Sequence, residues 1–131
     1  MIAKFRAWDV LAEKMIDEIL MISFVRKEII GKFSNGSTSV PLKFEDERNG
    51  EDVILMQSTD MVDRNGNIIF EGDIVKMSKD VYSEPTYYEV VRHYGGAYRL
   101  ESKQHGCELW LRHNDCEVVG NIYENKELLD A

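Results

Sequence analysis

The sequence predicts a mainly β protein: a small closed barrel preceded by an N-terminal hairpin arm and ended by one short helical turn. Three observations carry this. Seven short apolar runs, each bounded by Gly, Asn or Asp, fit into about 70 residues of the C-terminal two-thirds. Asn65-Gly66, Gly72-Asp73 and Gly95-Gly96 stand where tight turns need positive φ angles. Two polar joints, Ser34 to Ser39 (S-N-G-S-T-S) and Glu45 to Asp52 (E-D-E-R-N-G-E-D), set residues 1–45 apart as an arm and 46–131 as the barrel.

In the arm, Lys4 to Trp8 alternates like a strand, and Met21 to Val25 is short, apolar and partly β-branched. Between them Leu11 to Met21 consists of good helix formers, with apolar residues at Leu11, Met15, Ile19 and Ile22. A helix there competes with a hairpin across Asp9 to Lys14, and local pattern leaves both open. Val40 to Phe44 contains Pro41 and reads as a short edge strand.

The barrel strands are Val53 to Met56, Asn67 to Phe70, Asp73 to Met77, Thr86 to His93, Ala97 to Glu101, Glu108 to Leu111 and Glu117 to Ile122. Closing them into a barrel hides their edges. Glu124 to Leu129 supplies the closing helical turn.

The chain has 131 residues and a formal net charge of −8. The acid is concentrated after residue 43, where nineteen Asp and Glu face nine Lys and Arg. Such a surface suits solubility and does not suit gripping phosphate, so nucleic acid is disfavoured as a partner. No apolar leader or membrane-length segment is present, and Cys107 and Cys116 are expected as reduced thiols in the cytoplasm.

Arg6-Ala7-Trp8-Asp9, Leu55-Met56-Gln57 with Thr59, Asp63-Arg64-Asn65-Gly66, Phe70 to Val75 and Val119 to Asn125 together resemble the YopX family. The segments occur in the family's order and span nearly the whole chain. The resemblance implies a small phage or prophage protein of uncharacterised function working in a bacterial host, an SH3-like barrel, and a hairpin rather than a helix in the arm. It carries no catalytic residue. Two positions depart from the family pattern: Ser58, where an aromatic is usual, and Asp60, where glycine is usual. Both bear on the loop before Asp63.

Three groups of residues are candidates for chemistry. Asp60, Asp63, Asn65, Glu71 and Asp73 place five oxygen-bearing side chains within fourteen residues, but an EF-hand numbered from Asp63 would put Ile74 where the bidentate Glu belongs. Asp63, Asn65 and Asp73 are expected to cap turns instead. His105, Cys107, His113 and Cys116 are zinc-ligand types, yet lack knuckle spacing, and no third group orients a thiolate–imidazolium pair. No metal, cofactor or enzymatic activity is expected.

Aromatics crowd the second half, and alternation places Tyr87 and Tyr88 on opposite faces, one of them in the core. Trp8, Tyr82, Tyr87, Tyr94 and Tyr98 are the expected interaction surface. The expected function is a non-enzymatic protein-interaction module that self-associates, with a host or phage protein as a further partner and no membrane. The alternatives are a single-strand nucleic-acid binder using the barrel aromatics, and an acidic inhibitor of a host nucleic-acid enzyme.

Overall fold

The computed structural model describes residues 4–45, 52–78, 84–93, 96–103 and 106–130. Its strands are β1 (Phe5–Asp9), β2 (Lys14–Ser23), β3 (Glu28–Phe33), β4 (Leu42–Lys43), β5 (Val53–Val62), β6 (Ile68–Phe70), β7 (Asp73–Met77), β8 (Thr86–Arg92), β9 (Tyr98–Glu101), β10 (Gly106–Glu108) and β11 (Glu117–Asn121). A helical turn, α1 (Leu109–Arg112), and 3-10 turns at His113–Asp115 and Lys126–Asp130 complete it. The strands form two antiparallel sheets, so the protein is mainly β and closes on one short C-terminal helical turn. The chain divides into two compact units, Met1–Gln57 and Ser58–Ala131.

The first unit orders its strands β4-β3-β2-β1-β5. The segment from Asp9 to Lys14 is a hairpin turn, as the family resemblance implies. Asp9 makes it, its Oδ1 accepting the N–H of Ala12 at 2.9 Å while Glu13 adopts φ 54°. Ala7 then lies between Ile16 on one side and Leu55 on the other, fully buried.

The helical spacing in β2 has a physical origin other than a helix. The ladder to β3 shifts register between Ile16 and Glu18 and again between Ile19 and Met21. Each irregularity adds a residue and returns the next isoleucine to the same face. Ile16, Ile19 and Ile22, three residues apart, therefore all pack on the core of Ala7, Ile29, Phe44 and Val53. Gly31 sits opposite Ile19, and a Cβ there would come within 2.2 Å of Ile16 Cγ2. β4 is shorter than the expected Val40 to Phe44 strand, because Phe44 leaves the ladder to enter the core at 2% exposure.

In the second unit, the last part of β5 pairs with β6, and β10-β9-β8-β7-β11 form the other sheet. β5 runs through the segment expected to be a loop before Asp63. Asp60 takes φ 62° within it, and the register to β6 shifts between Ser58 and Val62. Ile69, Val75, Met77, Tyr88, Val90, Leu100, Leu109 and Cys116 build the core. Burying each large aliphatic side chain contributes roughly 1.5–3 kcal/mol. Asp73–Met77 has the bounds that its sequence run suggests. The expected strand Glu108 to Leu111 is corrected: β10 ends at Glu108 and the chain turns into α1. Only Leu109 of the Leu-Trp-Leu triplet has a place in the core, and Arg112 Nε bonds Asp115 Oδ2 at 3.0 Å across the 3-10 turn that follows.

Candidate functional site

The polar residues of the second unit are mostly engaged in holding turns. Asp63 is 2% exposed. Its Oδ1 accepts N–H groups from Asn65 and Asn67, each at 2.9 Å, and its Oδ2 accepts that of Val118 at 2.9 Å. Burial alone would raise its pKa, but the amides of Val118, Asn67 and Asn65 together hold the carboxyl below its ordinary value. Gly66, at φ 83°, completes the turn. Asp73 Oδ2 likewise accepts the Phe70 N–H at 2.8 Å beside Gly72. Thr59 bridges β5 and β6 by donating to Ile69 O at 2.8 Å while accepting from the Met61 N–H.

The Val119 to Asn125 stretch works in the same way. Asn121 Oδ1 accepts from the Tyr123 and Glu124 amides, and Asn125 Oδ1 accepts from the Asn121 amide at 3.2 Å. Gly120 leaves the room this requires, since a Cβ there would lie 2.4 Å from Asn125 Oδ1.

Cys107 packs against the core cluster that contains Cys116, so the two cysteines share surroundings. His105 lies outside the described residues. His113 Nδ1 donates to Val62 O at 2.8 Å. Cys116 is fully buried, its Sγ donating to Arg112 O at 3.3 Å, and burial pushes its pKa up to about 12. Burial also pushes up the half-buried Cys107 thiol, against the opposing effect of Arg112. A thiol of raised pKa is a poor nucleophile and a poor metal ligand at neutral pH. Among the described residues no three His, Cys, Asp or Glu side chains converge on one point.

Tyr88 is the core member of its pair at 4% exposure, and Tyr87 is half-buried on the opposite face. Tyr98 is half-buried as well, with burial raising its pKa. Tyr82 and Tyr94 lie outside the described residues. Trp8 is 8% exposed, laddered between Met15 of β2 and Ile54 of β5 on the face opposite Ala7.

The exposed apolar side chains are others. In the first unit Leu20, Met21, Phe24 and Val25 follow one another along the end of β2 and its turn, with Val25 95% exposed. Phe24 is held edge-to-face against both Phe5 and Phe44, centroids 6.1 Å apart in each case. In the second unit α1 displays Trp110 and Leu111, each more than half exposed. Sequence reading missed both groups, because an apolar run shows that a segment can be buried and not which of its members is left out.

Bulged antiparallel sheets with carboxylate- and amide-tied turns define a small, mainly β protein whose polar signature residues are architectural. The chain belongs to the YopX protein family, which matches residues 4–130. Its fold is similar to the crystal structure of protein EF1440 from Enterococcus faecalis, with 29% identity, TM-score 0.66, and 98% of this chain and 99% of that one covered. It is also similar in fold to protein yopX from Bacillus subtilis, with 24% identity, TM-score 0.64, and 97% of each chain covered. Curated proteins give no match.

Proposed function

We propose that this YopX-family protein is a non-enzymatic protein-interaction module that self-associates, and that it acts as a phage or prophage product in the cytoplasm of its bacterial host. The observation that carries the reading is the apolar run Leu20, Met21, Phe24 and Val25 on the first unit, each of them nearly half exposed or more. Single exposed aliphatics are ordinary, but four apolar side chains exposed within six residues, on one strand end and its turn, are apolar surface that association would remove from water. Phe24 is already ordered by Phe5 and Phe44, so little side-chain freedom is lost on contact. The non-enzymatic reading is supported by carboxylates committed to turns and by thiols held protonated.

Sedimentation velocity over a concentration series tests it. The expected outcome is a defined oligomer that Met21→Glu or Val25→Asp dissociates. A strict monomer at high concentration overturns the reading.

A further inference from the structure

The turn after β3 gathers two hydrogen-bond donors on one side-chain carbonyl. Residues Ser34 to Thr38 are all exposed. Asn35 Oδ1 accepts the Ser37 N–H at 2.9 Å and the Ser37 hydroxyl at 2.6 Å. Two donors on a carbonyl oxygen form the arrangement that steadies an oxyanion when the carbonyl carbon is attacked. A nucleophile for that carbon stands next in the chain, the backbone nitrogen of Gly36. Gly36 adopts φ 89°, and nothing lies within 4 Å of where a Cβ would stand, so no side chain screens its nitrogen.

We propose that Asn35-Gly36 is a self-modification site, at which the folded protein converts Asn35 to aspartate and isoaspartate ahead of Asn65 in the Asn65-Gly66 turn. The Gly36 N–H, which donates to Phe33 O at 2.9 Å, first opens to solvent and gives its proton to hydroxide. The nitrogen then bonds to Asn35 Cγ, and the oxyanion forms on Oδ1 between the two Ser37 donors. The Cγ–Nδ2 bond breaks as Nδ2 takes a proton from water and leaves as ammonia. Water opens the resulting cyclic imide. Cleavage of the new bond gives aspartate, and cleavage of the original peptide bond gives isoaspartate, so water is consumed and ammonia released. The Asn65-Gly66 turn is built differently. There Asp63 Oδ1 accepts the N–H groups of Asn65 and Asn67, each at 2.9 Å, and Gly66 N–H donates to Asp63 O at 3.0 Å. A carboxylate bound into the turn opposes both loss of a proton from Gly66 N and charge on a neighbouring oxygen. Asn49-Gly50 lies outside the described residues. The Asn35 turn also closes the outer edge of β3, through Phe33 N–H to Ser37 O at 2.9 Å and Ser39 N–H to Gly31 O at 2.8 Å. Isoaspartate adds a backbone carbon to that turn and so slackens these bonds at a strand edge.

The test is to age the full-length folded protein at mildly alkaline pH and follow each asparagine by tryptic mass mapping, with isoaspartate read by isoaspartyl methyltransferase labelling. Trypsin places Asn35 in peptide 33–43 and Asn65 in peptide 65–76, so their rates are read separately. Asn35 should convert several-fold faster than Asn65 in the folded protein, and the difference should shrink when the chain is aged in urea. Ser37→Ala removes the hydroxyl donor and should slow Asn35 by about threefold or more, the worth of one exposed hydrogen bond. Ser37→Thr keeps the hydroxyl and should restore the rate. Ser37 is exposed, so neither variant threatens the fold. The isoaspartate-bearing fraction should exchange its Phe33 and Ser39 amide hydrogens faster than fresh protein. Conversion of Asn65 as fast as Asn35 in the folded state, or Ser37→Ala aging at the wild-type rate or faster, overturns the proposal. Unchanged exchange at Phe33 and Ser39 overturns the slackened edge.

Discussion

Asp63 Oδ2 accepts the N–H of Val118 at 2.9 Å, tying the turn after β5 to β11 across fifty-five residues of sequence. The same carboxylate organises its own turn through Asn65 and Asn67, so one buried side chain fixes both a local bend and a long-range contact. Asp63→Ala leaves three amides without this acceptor and should cost roughly 2–4 kcal/mol by urea denaturation. Asp63→Asn keeps an acceptor and should cost about half as much.

The same group gives a pH dependence of defined sign. Its folded-state pKa lies below the ordinary aspartate value, so the unfolded chain binds its proton more readily than the folded one. The stabilisation is fully present above the unfolded value and is lost as pH falls through the folded one. Denaturation midpoints measured between pH 6 and acid should fall less steeply below about pH 4 in Asp63→Asn than in wild type.

Asp60 holds φ 62° inside β5, a conformation that suits glycine, and it stands where the family usually has glycine. Asp60→Gly should raise stability by about 0.5–1 kcal/mol as strain is relieved, offset in part by the freer unfolded chain. A thermal melt that moves downward would mean that the contact from Ser58 Oγ, at 3.4 Å, outweighs the strain.

Gly31 should tolerate nothing larger. Its missing Cβ makes room for Ile16 Cγ2, so Gly31→Ala should destabilise by roughly 1–3 kcal/mol. Gly31→Ala combined with Ile16→Leu, which has no Cγ2 branch, should recover part of the loss, and a double-mutant cycle measures how much.

Thiol labelling separates the cysteines. Both pKa values are raised, Cys116 to about 12, and Cys116 is fully buried whereas Cys107 is half-buried. With a neutral-pH disulfide reagent Cys107 should react slowly and Cys116 only on unfolding. Equal rates for the two would contradict the buried placement of Cys116.

The amino-acid sequence by itself determined the β class, the bounds of β7, and the turns at Asn65-Gly66 and Gly72-Asp73, because these depend on alternation and on backbone preferences within a few residues. The turn-capping parts of Asp63 and Asp73 were legible for the same reason. Tertiary structure decided the rest. The isoleucines of β2 carry helical spacing, and only pairing with β3, with two register shifts, makes that spacing a strand with one apolar face. The Leu109-Trp110-Leu111 triplet reads as a strand, yet the core has room for Leu109 alone, so the chain turns and leaves Trp110 outside. Trp8 looks available in the sequence and is 8% exposed on a strand laddered between β2 and β5. Local propensity selects turns and strand segments, whereas which side of a strand is wet depends on partners dozens of residues away.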